Sequence, residues 1–278
     1  MTNKLDSPKV WFILLAIVIQ FILMQGSQIL LIEIIQLINP NIDRMNPTVF
    51  IPIRVFGHIV GMLVILLVAY LISLKRRISL GKQFGLQFPP LLKWQVFILG
   101  ISSLAIASLA GRIAQAMFGL PEIEQKTLSF LEQLSPLTMV VHVLITALFA
   151  GFFEEITFRG FIQRHLSKRV GVIWAILISG LMFGLVHIAP YGIVLSTLMG
   201  IWFGIVVWRV GSIWPTIWGH IFINGFNSFY MSGKYVLGFP ETPSLILQWT
   251  LGVISFSALL YSIWLLWRTS LPLSENTK

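Results

Sequence analysis

The run from Val49 to Leu74, VFIPIRVFGHIVGMLVILLVAYLISL, stops against Lys75-Arg76-Arg77. A hydrocarbon core of ~30 Å is crossed by about 20 helical residues. This run is longer than that, carries few ionisable groups and meets a basic cluster where it ends. It reads as a membrane-spanning helix with a cationic anchor.

Comparable runs lie near residues 10–37, 94–118, 136–163, 171–189, 192–209, 212–231 and 246–267. The whole chain of 278 residues is 56% hydrophobic and only 10% charged, with a mean hydropathy of +0.88. Soluble domains carry roughly a quarter of their residues as charges. No run alternates with period two, so helices rather than barrel strands are expected. The expected fold is all-α, a polytopic transmembrane helical bundle of about eight helices. Residues 1–278 would form a single membrane domain. The first run follows Lys4 and Lys9 and lacks a small-residue cleavage site, so it is expected to be a retained span rather than a signal peptide.

The cations sort to one side of an eight-span arrangement: Lys4, Lys9, Lys75, Arg76, Arg77, Lys82, Lys93, Arg164, Lys168, Arg169, Arg209, Arg268 and Lys278. Arg44, Lys126 and Lys234 fall on the other side with Asp43, Glu122, Glu124, Glu132 and Glu241. The positive-inside rule then places both termini in the cytoplasm. The formal charge of +9 follows from this asymmetry. The basic clusters read as topology anchors facing anionic lipid, and no nucleic-acid partner is expected.

Chemistry is narrowed by what is missing. With no cysteine, thiol nucleophiles, disulfides and thiolate metal sites are excluded. Asp6 and Asp43 are the only aspartates and both lie outside the runs, so a paired-aspartate intramembrane site is excluded too. Neither an H-E-x-x-H helix nor a Gly-x-Ser-Gly turn occurs.

What remains is polar material inside the spans. Ala150 to Leu166, AGFFEEITFRGFIQRHL, holds Glu154, Glu155 and Arg159. Ionisable groups at membrane depth must find a partner or line a wet cavity. Glu155 and Arg159 are four apart and can pair on one helical face, while Glu154 is rotated by about 100° and points elsewhere. Phe183-x-x-x-His187 and His220-x-x-x-Asn224 supply further polar groups on two other spans. A carboxylate, an imidazole and hydrogen-bond donors are what peptide hydrolysis by an activated water needs. Glu154, His187 and His220 are also the ligand types of an open zinc site, so Zn is possible, although no cofactor is required.

Glu154-Glu155-x-x-x-Arg159, Phe183-x-x-x-His187 and His220-x-x-x-Asn224, in this order, resemble the motif set of the CPBP intramembrane endopeptidases. That family includes the type II CAAX prenyl endopeptidases and the lysostaphin resistance protein A group. The resemblance covers residues 137–230, the motif-bearing core helices. It implies a membrane peptidase whose site opens towards the cytoplasm. Glu154 and His187 would activate water, His220 and Asn224 would stabilise the oxyanion, and Glu155 with Arg159 would support the helix. The expected geometry is one deep cavity lined by Glu154, His187, His220 and Asn224.

The implied partners are a peptide or membrane-protein substrate and the lipid bilayer. The alternative is a non-catalytic membrane scaffold or immunity protein acting by partner binding. Transport is a further class, but no inverted repeat is visible. Gly180-x-x-x-Gly184 and Gly200-x-x-x-Gly204 read as close-packing helix faces. Ile123, Leu128, Leu131 and Leu134 are expected on an interfacial helix between Pro121 and Ser135. Glu33, Arg54, His58 and Arg112 have no role assigned by the sequence.

Overall fold

The computed structural model describes residues 8–120 and 125–269. The chain runs through α1 (Val10–Ile38), α2 (Pro47–Arg76), α3 (Leu80–Phe84), α4 (Lys93–Phe118) and α5 (Gln125–Glu132). It continues as α6 (Pro136–Val170), a composite helix. The last four elements are α7 (Val172–Leu185), α8 (Pro190–Val210), α9 (Trp214–Val236) and α10 (Leu245–Arg268). No strand occurs among the described residues.

Local sequence sets the ends. The Asn46 side chain accepts from the Thr48 amide at 3.0 Å and Pro47 occupies the first turn of α2; Arg77 closes it in a left-handed conformation. Ser135 and Thr138 cap α6 reciprocally, with Pro136 at its start. Pro190 opens α8 and Pro215 lies in the first turn of α9, where a missing N–H leaves no hydrogen bond unmade.

Large apolar side chains face outward. Leu37 is 83% exposed, Ile246 81% and Trp267 84%. In water such a surface would aggregate, whereas in a bilayer it is the solvated face. Among the described residues, six helices are both long and apolar enough to cross a membrane: α1, α2, α4, α6, α8 and α10. The expectation of eight spans is corrected at two places. Helix α7 has only 14 residues, about 21 Å at 1.5 Å per residue. Helix α9 has 23 residues, but its apolar character is diluted by His220, Asn224, Asn227, Ser228 and Lys234.

The expected interfacial segment is also corrected. Residues 121–124, including Ile123, lie outside the described residues. Leu131 and Leu134 turn inward with Phe130 onto Ile51 of α2, so α5 packs on the bundle.

The core of the bundle gathers on α6. Phe161, Ile162 and Leu166 are fully buried against Phe84, Ala175, Val207 and Ile213. At the basic end the loops are stitched to it: Arg164 Nη2 donates to the Gly211 carbonyl at 2.6 Å, and Trp214 Nε1 to the Leu86 carbonyl at 2.7 Å.

The glycine pairs behave as close-packing faces. A Cβ on Gly200 would lie 2.8 Å from the Gly180 Cα, and one on Gly184 would lie 2.6 Å from the Ile193 carbonyl oxygen. Helices α7 and α8 therefore touch backbone to backbone, the contact that bare glycine permits. Two of the unassigned polar groups find places away from the core. Glu33 pairs with Arg44 at 3.6 Å beside the α1–α2 turn, and Arg112 stays on the exposed face of α4.

Candidate active site

Helix α6 is not a uniform rod. It is α-helical over Pro136–Leu144, π-helical over Ile145–Ala150, α-helical over Gly151–Glu155, π-helical over Ile156–Gln163 and α-helical again over Arg164–Val170. Each π turn widens the helix and displaces the ladder, and such turns recur at functional sites. Glu154 and Glu155 occupy the short α stretch between them. Gly151, one turn earlier, lets α9 close in: a Cβ there would lie 3.4 Å from the Ile221 amide and 3.5 Å from the His220 Cβ.

The approach of α9 brings His220 between the two glutamates. His220 is 5% exposed. Its Nδ1 lies 3.1 Å from Glu155 Oε1, and its Nε2 lies 3.4 Å from Glu154 Oε2. Glu155 Oε1 also accepts from Arg159 Nη1 at 2.8 Å, and the side chains of this pair are 0% exposed. The order is thus Arg159, Glu155, His220, Glu154, a buried chain of side-chain contacts ending at the half-buried Glu154.

Proton positions follow from this order. Glu155 faces a guanidinium and is an acceptor, so His220 Nδ1 donates to it. The His220 Nε2 is thereby left to face Glu154 Oε2 at 3.4 Å. Sequence spacing leaves Glu154 without a partner; the fold supplies one from a distant helix.

Aromatic rings pack this chain. The Arg159 guanidinium carbon lies 4.4 Å from the centre of the Phe183 ring and 5.2 Å from that of Phe203. Phe183 also meets His220 at 5.6 Å and His187 at 5.1 Å, both edge to face. One ring therefore spaces the buried cation from two imidazoles. A phenylalanine four residues before a histidine is legible as a shared helical face, but nothing in the sequence announces Phe203.

His187 departs from its expected setting. Helix α7 ends at Leu185, so His187 sits on the following turn rather than on a span, and it is exposed. Its Nδ1 lies 2.9 Å from the Phe183 carbonyl, to which it donates, leaving the lone pair on Nε2. The next residue, Ile188, has φ +63°. That left-handed conformation is a true outlier for a β-branched side chain and tightens the turn.

The expected cavity is present in altered form. A cavity of roughly 410 Å³ lies between α1, α2 and α6, with Glu154 and His187 on its wall. His220 and Asn224 are not on that wall, which corrects the expectation that all four residues line it. His220 stands behind Glu154, and Asn224 donates from Nδ2 to the Thr146 carbonyl at 3.3 Å, inside the first π turn. Of the α2 residues of the wall, Phe50, Arg54 and His58 come from the half remote from Lys75-Arg76-Arg77, and Met62 lies at the middle of the helix. The cavity thus leans away from the basic end of the bundle.

Zinc fits this arrangement poorly. Both His220 nitrogens are engaged by carboxylates, and the described residues bring together no group of three His, Asp or Glu side chains able to hold a metal ion. No chemical step below is routed through a metal.

Residues 136–226 match the type II CAAX prenyl endopeptidase Rce1-like family. This stretch, about a third of the chain, contains Glu154, Glu155, Arg159, His187, His220 and Asn224. A similar protein is the "Putative membrane peptidase YdiL" of Bacillus subtilis (strain 168), 29% identical over 118 residues, which are 42% of this chain and 48% of that protein. The chain thus spans about half the length of this curated relative. No solved structure matches the chain. The family match and the buried His220–Glu155–Glu154 pairs fall on the same helices of a polytopic membrane protein.

Proposed function

We propose that this chain is an intramembrane endopeptidase that hydrolyses peptide bonds of a peptide or membrane-protein substrate with an activated water. The observation that carries the reading is Glu154: its carboxylate faces the cavity on one side and the buried His220 Nε2 on the other. A carboxylate so placed can take a proton from a cavity water while the His220 imidazole stands within ion-pair distance behind it.

The steps use this chain's own groups. Water, held between Glu154 and the free Nε2 of His187, attacks the scissile carbonyl carbon as its proton passes to Glu154. The carbonyl oxygen becomes an oxyanion. The proton then goes to the leaving nitrogen, and the carbon–nitrogen bond breaks. Asn224, whose amide keeps one N–H beyond the one donated to the Thr146 carbonyl, is the candidate oxyanion donor, and His220, engaged by both glutamates, supports Glu154 from behind. Preorganised donors of this kind are worth ~2.7–4 kcal/mol each. Asn224 stands one helical turn beyond His220, so donor and base come from adjacent helices. Both termini belong in the cytoplasm on the cation distribution.

The competing reading is a scaffold that binds a partner, favoured by the engagement of both His220 nitrogens in a closed chain of side-chain contacts. Cleavage of a reporter peptide in liposomes separates the two. Glu154→Gln preserves shape but cannot take the proton, so turnover should vanish while folding persists. Full biological activity in that variant would establish the scaffold instead. Unchanged cleavage after chelation with 1,10-phenanthroline is expected; its abolition would bring zinc back into the mechanism.

A further inference from the structure

The cavity contains a cation that the hydrolytic steps do not use. Arg54 lies about 10 Å along α2 from Pro47 at 1.5 Å per residue, on the wall that also carries Glu154 and His187. Among the described residues it makes no ion pair within 4.0 Å. Its guanidinium carbon lies 5.6 Å from the centre of the Phe50 ring. One turn on, His58 Nδ1 donates to the Arg54 backbone carbonyl at 2.7 Å and fixes the turn that carries it. An arginine in a membrane span without a counter-ion is costly, and such residues mark ligand paths. Glu154 acts on Arg54 electrostatically without touching it. The cation and the reacting carboxylate thus face one space from different places on its wall.

The α1 residues of the same lining indicate what that space holds. Gln20, Gln25 and Gln28 of α1 line it, and Gln20 Nε2 already donates to Thr157 Oγ1 at 3.2 Å. Primary amides offer a donor and an acceptor, the complement of a peptide backbone and a poor match for acyl chains. A volume of roughly 410 Å³ is in the range of ligand pockets. We propose that Arg54, its backbone held by His58, is a carboxylate-binding subsite that anchors an extended peptide while Glu154 meets the scissile bond. The guanidinium fork matches a carboxylate with two parallel hydrogen bonds, which an ammonium cannot do. This subsite rests on the peptidase reading, and it adds to that reading a requirement for an anionic group on the substrate.

The test reads binding on protein that cannot hydrolyse. Glu154→Gln protein in a non-ionic detergent is titrated with a short apolar fluorescent peptide made with a free and with an amidated C-terminus. A second, amidated pair differs only in one glutamate or glutamine. The carboxylate member of one pair should bind about 10- to 100-fold more tightly, the range of a charge-assisted hydrogen-bonded contact. Which pair discriminates tells a terminal from a side-chain carboxylate. Adding Arg54→Gln should abolish the preference, and Arg54→Lys should keep part of it; thermal melting of both variants controls for folding. Equal binding of acid and neutral peptides, or a preference that survives Arg54→Gln, overturns the subsite. So does Arg54-dependent binding of phosphatidylglycerol without peptide discrimination, which would make this a lipid-phosphate site. Failure of the wild-type protein to cleave any peptide would sink the peptidase reading while leaving the binding result to stand or fall by itself.

Discussion

The cavity has two unlike walls. Behind the Glu154 wall lies a closed set of bonds between α6 and α9: Arg159, Glu155 and His220 are buried and paired in series, and Gly151 lets the helices meet closely. The α1–α2 side mixes apolar residues with polar ones, Gln20 among them already bonded to Thr157. It presents Gln25, Gln28 and Arg54, and α1 buries only Ile13, Ala16 and Ile17. Groups that must hold a reacting geometry need rotamers locked by their neighbours. Groups that meet a variable chain gain from freedom to re-pair. On the proposed reading, the difference between the walls would be that between making a bond reactive and choosing which chain to offer it.

Substitutions on the rigid wall should separate chemistry from folding. The largest effect is expected for Glu154→Gln, a loss of about 10⁴-fold in kcat, at the upper end for a positioned general base, with no change in thermal stability. A large drop in stability would place Glu154 with the structural ion pairs instead. Arg159→Ala comes next and acts on the fold: Glu155 would be left as an uncompensated buried charge, costing ~3–5 kcal/mol. Denaturation in detergent and expression level read it. Intact stability with lost activity would move Arg159 into the reacting set.

Asn224→Ala should lower kcat by about 10²–10³-fold with KM little changed, the usual result of losing an oxyanion donor. A pure loss of stability would mean that its only duty is the Thr146 carbonyl. Gly200→Ala should cost ~1–3 kcal/mol by overpacking, because the new methyl group meets backbone and not a side chain that can move. A neutral result in a melting curve would show that α7 and α8 slide apart freely.

The sequence reveals what depends on length and on regular spacing. Membrane helices, the Glu155–Arg159 pair at four residues, and the glycine faces of α7 and α8 all follow from an ideal helix and were readable in that way. The remainder depends on departures from it. The π turns on either side of Glu154 change the angular offset between the glutamates and the rest of α6, and no residue pattern in ITALFA or ITFRGFIQ states that. His187 looked like part of a span because apolar residues run up to it, yet the helix stops at Leu185 and the chain turns through Ile188. The placing of Arg54 beside Glu154 joins residues a hundred positions apart, which only packing decides. Six of the eight apolar runs form helices clearly long and apolar enough to span, whereas α7 is short and α9 is diluted by polar residues, features that helix ends and packing decide.

The brevity of α7 reaches beyond the protein. A helix of about 21 Å in a hydrocarbon layer of ~30 Å leaves a deficit of about 9 Å. Hydrophobic mismatch of this size is relieved by thinning the adjacent leaflet or by shielding from neighbouring helices. A shortfall taken up at the end of α7 that carries His187 would draw headgroups towards the cavity, and on the peptidase reading water would then arrive through a dimple rather than along a pore. Reconstitution in lipids of increasing acyl length should then slow turnover several-fold without altering the fold, and a flat dependence on acyl length would show that protein alone conducts the water.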